Sequence, residues 1–348
     1  MNGEFFCIDR RVWSRVCDCG MNEAVAYLVL ARGTGPENRL TSWSTTAVGK
    51  CAGMGIVPAK EAIKRLLQER FLRFAAGHTN QRPRYELILP ETTEDAEEDD
   101  NERIWLPNSI VTGTETGGEI APVQRLRAAG DVWALRLFVD LYNAQNLRDD
   151  GGISPQVLRQ EFRRERIAEQ GIYVVWAFTA GSYTASWTGP LALHQKRKRN
   201  SGEKDHPVWD SVGRLRKMGL LTYVPHLFEN DSQESEIMHP YGIGGHGEIP
   251  IETQIGETAD AAARNLADWI EARAEEKGCD HLCPVMHTLP NVQMIGVARL
   301  HYRPRTRRTA AWYAQAQTNG AKWLEHYGRL GGKPEISSDD VFGIFNVG

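Results

Sequence analysis

Side chains that could bind a metal or carry out a reaction are few in this sequence. The one crowded group is KGCDHLCPVMH, which places four soft ligands within nine residues: Cys279, His281, Cys283 and His287. Zinc requires four such donors in a tetrahedron. This spacing is not one of the common zinc patterns, and buried free cysteines are ordinary in proteins. The sequence therefore predicts no metal and no cofactor, with these four side chains as the weak alternative.

Signatures of catalysis are also missing. No phosphate-binding G-x-x-x-x-G-K-[ST] loop is present, since Gly49-Lys50 lacks both the preceding glycine and the following hydroxyl. His194 and Arg197 have the H-x-x-R spacing of tyrosine recombinases, but the surrounding pattern of that family is absent, which favours coincidence. The chain is accordingly predicted not to be an enzyme.

Cationic side chains offer another chemistry, the binding of phosphate. From Ala59 to Glu69, apolar residues recur at three- and four-residue spacing, which predicts a helix whose outer face carries Lys60, Lys64 and Arg65. Two short alternating stretches follow and predict a β-hairpin. Cations on an outward helix and at a hairpin tip can reach the bases and phosphates of a duplex. The hairpin adds four candidates: Arg73, His78, Arg82 and Arg84.

The elements before this helix are those that would position it. A densely apolar helix is predicted over residues 24–30, a short helix is capped by Ser44 or Thr45, and Gly53-Met54-Gly55 supplies a turn. The progression Ser-Trp-Ser-Thr-Thr-Ala, Gly-Met-Gly and Ala-Ile-Lys-Arg-Leu-Leu resembles the winged-helix superfamily, and in particular the helix-turn-helix proteins of plasmids, prophages and integrative elements. The resemblance implies binding of double-stranded DNA. The alternative is that the helices and hairpin serve only protein contacts.

A second, looser copy of this pattern is predicted further along the chain. A helix begins at Asp131, a second at Ser154 over SPQVLRQEFRRERIA, and a third spans 208–218, with strands predicted over 172–178 and 221–228. A basic insertion precedes the third helix; it is either a solvated loop or a phosphate contact. The candidates are Lys196, Arg197, Lys198, Arg199, Arg214, Arg216 and Lys217.

The C-terminal part is predicted to be helical. TADAAARNLADWIEARAEEKG reads as a packing or dimerisation helix capped by Thr258, and a later helix carries Trp312, Tyr313 and Trp323. Between them lies a basic stretch that could follow a phosphate backbone. Its candidates are Arg303, Arg305, Arg307 and Arg308.

Charge and composition limit the setting. The formal net charge is -4, but eight acids lie between Glu91 and Glu102, and without them it would be +4. That stretch is interpreted as a solvated linker, or alternatively as a tether that competes with phosphates for the basic face. The six cysteines, without a signal-like N-terminus or an apolar membrane span, predict reduced thiols and a cytoplasmic protein that does not contact a membrane.

These observations predict a mainly α fold with small β-hairpin wings: tandem winged-helix domains plus a C-terminal helical segment. The expected divisions are 1–90, an acidic and Gly/Thr-rich linker over 91–118, a second domain over 119–241, and an extension over 242–348. Tandem winged helices resemble plasmid replication initiators. The predicted function is sequence-selective binding of double-stranded DNA, as a transcriptional regulator or a replication initiator of a mobile element, by a homo-oligomer or protein complex. The alternative is a protein-interaction subunit of a larger defence or replication complex.

Overall fold

The computed structural model describes residues 4–88, 103–114, 119–149, 151–197, 206–230, 232, 235–279, 281–303 and 306–331. Packing divides the chain into two compact units. Unit 1 comprises Met1–Ile153, Ser186–Thr222 and Arg299–Ala310, and unit 2 comprises Ser154–Ala185, Tyr223–Ala298 and Ala311–Gly348. The predicted divisions at 91–118 and at 242 stay predictions.

Unit 1 is built around one apolar helix. All eight residues from Ala24 to Ala31 are buried, as expected for a helix that is apolar on every side and lies at the centre of its unit. Other helices of unit 1 pack around it. The elements of this first part are β1 Phe5–Asp9, α1 Arg10–Cys19, α2 Met21–Arg32, β2 Leu40–Thr41, α3 Thr45–Ala52, α4 Ile56–Gln68, β3 Leu72–Phe74 and β4 Tyr85–Leu87.

The predicted helix pair and hairpin are present in this part of the chain. α4 begins at Ile56, three residues before the predicted start, and α3 follows Ser44 as its N-cap residue. Strands β3 and β4 pair antiparallel, and β2 adds to the other edge of β4, giving a three-stranded sheet in the order β2-β4-β3. The hairpin is therefore attached to the helices at its base through β2.

The rest of unit 1 adds a second group of helices. Asp131 caps α7 by accepting hydrogen bonds from the N–H groups of Trp133 and Ala134, each at 3.0 Å, and this helix was predicted. Strand β5 pairs antiparallel with β1. The remaining elements are β5 Arg103–Pro107, α5 Ser109–Thr112, α6 Pro122–Ala129, α7 Val132–Tyr142, β6 Gln145–Asn146, β7 Gly152–Ile153 and α8 Val208–Lys217.

Unit 2 contains most of a six-stranded sheet in the order β11-β10-β13-β8-β9-β12. The neighbours β8 and β9, β9 and β12, β8 and β13, and β10 and β11 are all antiparallel. The elements are β8 Leu158–Gln170, β9 Tyr173–Ala185, β10 Leu221–Phe228, β11 Ile237–Pro240, α9 Pro250–Asn265, α10 Trp269–Glu276, β12 Leu282–Met286, β13 Gln293–Leu300 and α11 Arg307–Leu330.

This sheet shows that the predicted fold class is wrong: the chain has a mixed α+β fold rather than a mainly α fold with small wings. Where a helix was predicted from Ser154, the structure has the long strand β8. Its buried apolar residues Leu158, Phe162 and Ile167 are spaced as in a helix. The strand can bury all three because its register with β9 shifts twice, between Gln160 and Phe162 and between Arg166 and Ala168. A bulge interrupts the two-residue alternation by which a strand is recognised.

Two helices replace the single one predicted from Thr258. α9 begins at Pro250, and Glu252 in its first turn accepts hydrogen bonds from the N–H groups of Glu248 (2.8 Å) and Ile249 (3.2 Å). Thr258 lies within this helix, and its hydroxyl donates to the carbonyl of Gln254, so it is not a cap. The helix packs on the sheet. Among the described residues, no helix has the length and apolarity that crossing a bilayer requires.

Candidate nucleic-acid interface

α4 has one buried and one open face. The buried face packs inside unit 1 and consists of Ala59, Ala62, Ile63 and Leu66, and the opposite face is exposed. On that face the ammonium of Lys64 lies 3.8 Å from the carboxylate of Glu61, and both side chains are more than 60% exposed, so the pair is weak. Within the described part of the chain, Lys60 and Arg65 form no ion pair or hydrogen bond with another side chain. The weak pair of Lys64 with Glu61 thus leaves the predicted cations of this face open to solvent.

The turn that precedes α4 is fixed by a neighbouring helix. Gly53 ends α3 in the left-handed conformation at φ 61°, and a Cβ there would lie 2.5 Å from the Nε2 of Gln124. Arg127 of α6 donates from Nε to the carbonyl of Ala52 at 2.7 Å and from Nη2 to the carbonyl of Gly53. A guanidinium at the last carbonyls of α3 satisfies acceptors that the helix leaves open. Arg127 lies 74 residues from the turn, so no local sequence pattern predicts this contact.

On the hairpin, one carboxylate binds two guanidiniums. Glu86 of β4 accepts from Arg73 at 2.7 and 2.9 Å and from Arg39 at 2.6 Å. The hydrogen bonds from Arg73, and then from Arg39, hold the pKa of Glu86 below its usual value. Arg73 is exposed, but its guanidinium is held on the face of the sheet rather than extended into solvent.

The tip of the hairpin is ordered by its own residues. The Nδ1 of His78 accepts from the N–H of Arg84 at 3.0 Å, and the His78 ring lies 4.2 Å from that of Phe74, centroid to centroid. The guanidinium of Arg84 donates to the carbonyl of Ala76 at 3.3 Å. Arg82 is exposed, and its hydrogen bonds to Thr79 use only the Arg82 backbone. Arg82 is thus the tip cation that stays available for a ligand.

Sequence reasoning missed a groove beside the hairpin. It has a volume of about 1350 Å³ and is bordered by β1, β5, residues 32–43 and the turn end of the hairpin (residues 75, 76 and 84–86). Phe5 and Trp105 line it in an edge-to-face pair with centroids 5.3 Å apart, and they are 42% and 46% exposed. An isolated tryptophan just after the acidic stretch is the only sequence signal that could have pointed to it.

The beginning of the basic insertion is engaged in the fold of unit 1. The guanidinium of Arg197 lies 5.0 Å from the ring centroid of Trp133 and donates to the hydroxyl of Ser211 at 2.8 Å. His194, the other member of the H-x-x-R spacing, is buried with its Nε2 2.9 Å from the carboxylate of Asp140. These contacts give both residues a structural role.

One cation of α8 also forms an ion pair within the fold. Arg214 lies 3.2 Å from Asp131, the residue that caps α7. Lys196, Arg216 and Lys217 are exposed. Lys198 and Arg199 lie outside the described residues.

The C-terminal candidates divide in the same way. Arg303 is half-buried, and it has partners within the fold. Arg307 and Arg308 are exposed in the first turn of α11, where cations are unfavourable for the helix dipole. Arg305 and the acidic stretch from Glu91 to Glu102 lie outside the described residues.

The four candidate zinc ligands do not converge. No group of three or more His, Cys, Asp or Glu side chains that could hold a metal occurs among the described residues. His287 is exposed and bonded through Nδ1 to the carbonyl of Ile172 at 3.0 Å, and Cys279 has its Sγ 3.8 Å from the carbonyl of Lys277. The metal alternative is therefore unsupported.

Cys283 belongs instead to a buried polar chain in unit 2. The Nδ1 of His239 lies 2.8 Å from the carbonyl of Pro240, so this nitrogen carries the proton and Nε2 accepts from the hydroxyl of Tyr327 at 2.7 Å. The thiol of Cys283, 3.6 Å away, then donates to the Tyr327 oxygen. Burial lowers the pKa of His239 to about 4 and raises the pKa of Cys283 to about 12. All three groups are neutral and inaccessible, which excludes a thiolate nucleophile at this site.

The accessible chemistry of unit 1 is therefore that of a cationic helix flank beside a short hairpin. The predicted candidates that remain open on these two elements are Lys60, Lys64, Arg65 and Arg82, whereas Arg73 and Arg84 are bonded within the hairpin. No model of a known protein family, no curated protein and no solved structure matches the chain.

Proposed function

We propose that the protein binds double-stranded DNA sequence-selectively, with α4 in the major groove and the β3–β4 hairpin on the adjoining backbone. The observation that carries the proposal is the outer face of α4, where exposed lysines have no strong partner within the fold. The major groove admits an α-helix, and cations at a hairpin tip can contact neighbouring phosphates. A transcriptional regulator or a replication initiator of a mobile element would use such a surface.

The charge of the chain supports a local interface. With a formal net charge of -4, the protein as a whole is not attracted to DNA. Attraction must come from a cationic region, and on α4 and the hairpin Lys60, Lys64, Arg65 and Arg82 provide one. Phosphate contacts of this kind make affinity fall with added salt.

The experiment compares two double variants with the same change in charge. Lys60→Glu/Lys64→Glu reverses the α4 face, and Arg273→Glu/Lys322→Glu reverses two exposed cations of unit 2. A duplex site is first obtained by selection from random sequences, and binding is followed by fluorescence anisotropy over a series of salt concentrations. The α4 variant should bind at least about tenfold more weakly, with a salt slope smaller by about 2, because each phosphate contact contributes about 0.9.

The unit 2 variant should bind as the unchanged protein does. Equal loss in both variants, or no duplex binding by the unchanged protein at low salt, overturns the proposal. A footprint on the DNA upstream of the protein's own gene separates the two roles, since a regulator protects a promoter and an initiator protects repeated sites at an origin.

A second candidate function, a protein-interaction subunit, is favoured by the groove at Phe5 and Trp105. Two exposed aromatic side chains beside a groove of about 1350 Å³ could hold a partner's apolar side chains. In that case Trp105→Ser abolishes capture of a copurifying partner, and Lys60→Glu/Lys64→Glu does not. If the groove has no such role, Trp105→Ser leaves the copurifying proteins unchanged.

A further inference from the structure

The first turn of α4 exposes two apolar side chains. Val57 is 73% exposed and Ile56 is 55% exposed. Among the described large apolar residues that are exposed, none is more open than Val57. Neither residue is a strong helix former, because β-branched side chains lose rotamer freedom in a helix. The stability of the helix therefore gives no reason for two β-branched residues to stand in solvent here.

Val57 lies on the cationic face. Residues 57, 60, 61 and 64 have the spacing i, i+3, i+4 and i+7, so Val57 is aligned with Lys60, Glu61 and Lys64 along one side of the helix. Ile56 lies at the edge of this face toward α3: its Cδ1 lies 3.6 Å from where a Cβ on Gly49 would stand. The open surface of α4 thus has an apolar first turn followed by charged residues.

Glu61 limits which groups of a DNA duplex this face can contact. It is exposed near the middle of the face, beside Lys64, and a carboxylate there would be repelled by phosphates along the whole helix. Base edges in the major groove are different, since the amino group of cytosine donates to a carboxylate. The face is therefore suited to bases at its centre, with the lysines reaching phosphates through their long side chains.

We infer that Val57 and Ile56 contact the C5-methyl groups of thymine, so that α4 selects duplex sites containing thymine under its first turn. The inference rests on the proposed function. The thymine methyl is the apolar group that base edges present in the major groove, and apolar side chains are its usual contacts. The apolar patch consists of only two residues and is followed along the helix by Lys60 and Lys64. A methyl group with phosphates nearby fits such a surface better than an apolar protein surface does.

The test removes only the methyl group. In the selected duplex each thymine is replaced in turn by deoxyuridine, which keeps every hydrogen bond of the base pair. Binding should weaken about three- to fivefold at one or two positions, the value of one buried methyl. Val57→Ser should bind the unmodified duplex more weakly and lose the thymine preference at one of those positions. Ile172→Ser, which changes an exposed apolar side chain of unit 2, should preserve it.

Uniform affinity for all deoxyuridine duplexes overturns the inference, as does a thymine preference that persists in both Val57→Ser and Ile56→Ser. In either case strong binding that still depends on Lys60 and Lys64 leaves the proposed function standing. Failure of the unchanged protein to bind any duplex overturns both.

Discussion

α4 and α8 are each followed directly by a β-strand, and the sequence places outward cations on both, but the fold uses those cations differently. On α4, Lys60 and Arg65 are exposed and have no ion-pair partner within the described ranges. On α8, Arg214 lies 3.2 Å from Asp131, which also caps α7. A cationic pattern on a helix therefore indicates a binding surface only where no carboxylate of another element pairs with the cations.

The strands that follow the two helices differ as well. After α4, β3 and β4 form a hairpin, which the two-residue β2 joins in a three-stranded sheet. After α8, β10 has β11 on one side and β13 on the other, so it lies inside a six-stranded sheet. The second hairpin is part of a large sheet and the first is not, which is why we place the proposed DNA contacts on α4.

The polar chain of unit 2 is buried, whereas the charged face of α4 is exposed to solvent. His239, Tyr327 and Cys283 are at most 1% exposed, and each has its hydrogen-bonding partner. Buried groups of this kind stabilise a fold only while they are neutral and satisfied. A change of pH should therefore alter the stability of unit 2 through its buried groups. A change of salt concentration should instead alter ligand binding by the exposed cations of α4.

The largest expected effect is the acid sensitivity conferred by His239. Burial holds its folded pKa at about 4, below the unfolded value of 6.5, so the unfolded chain binds the extra proton between these values. Stability from this residue is complete above pH 6.5 and is lost as the pH falls toward 4, by about 3 kcal/mol. Urea unfolding of the whole protein at pH 7 and pH 4.5 measures it.

The control for that prediction is His239→Gln, which cannot take up the proton. It should be less stable at neutral pH, since the contact with Tyr327 is perturbed, and it should lose less stability on acidification than the unchanged protein. Parallel pH dependence in the two proteins contradicts the assigned role of His239.

The elements that sequence could predict are those held by local contacts. The apolar face that starts at Asp131 predicts α7, and alternation on either side of a glycine turn predicts the hairpin after α4. Such signals lie within one element, so no knowledge of the partner strand or helix is required. The exposed candidates Lys60 and Lys64 were found in the same way.

Other features depend on residues distant in sequence and could not be predicted. The sequence of β8 predicts a helix because two register shifts against β9 disrupt its alternation, and those shifts exist only in the paired sheet. Arg127 reaches the carbonyls of Ala52 and Gly53 through the packing of α6. Whether Arg214 is free depends on Asp131, 83 residues earlier, which a pattern of charges cannot reveal.

A smaller effect is expected from methyl groups at the glycines that border the two helices. Gly53, before α4, has φ 61°, and Gly219, after α8, has φ 64°, so Ala at either position should cost about 1–2 kcal/mol for the left-handed backbone. Only at Gly53 must the methyl also displace Gln124, and nothing lies within 4 Å at Gly219. Gly53→Ala should therefore be the less stable variant and should also weaken duplex binding. Equal unfolding energies and equal affinities would remove the distinction between the two turns.

The smallest effects are expected from removing single cations, and they distinguish a cation that is paired within the fold from one that is open to a ligand. Arg214→Gln removes the partner of Asp131 and should lower the unfolding free energy by up to about 1 kcal/mol, because the pair is partly exposed. Lys64→Gln loses only a weak contact with Glu61, so its stability should change by less than about 0.5 kcal/mol. Duplex binding should show the reverse order, with a salt slope reduced by about 1 for Lys64→Gln and unchanged for Arg214→Gln. If Arg214→Gln instead reduces the slope while stability is unaffected, then α8 rather than α4 faces the phosphates, and the roles assigned to the two helices must be exchanged.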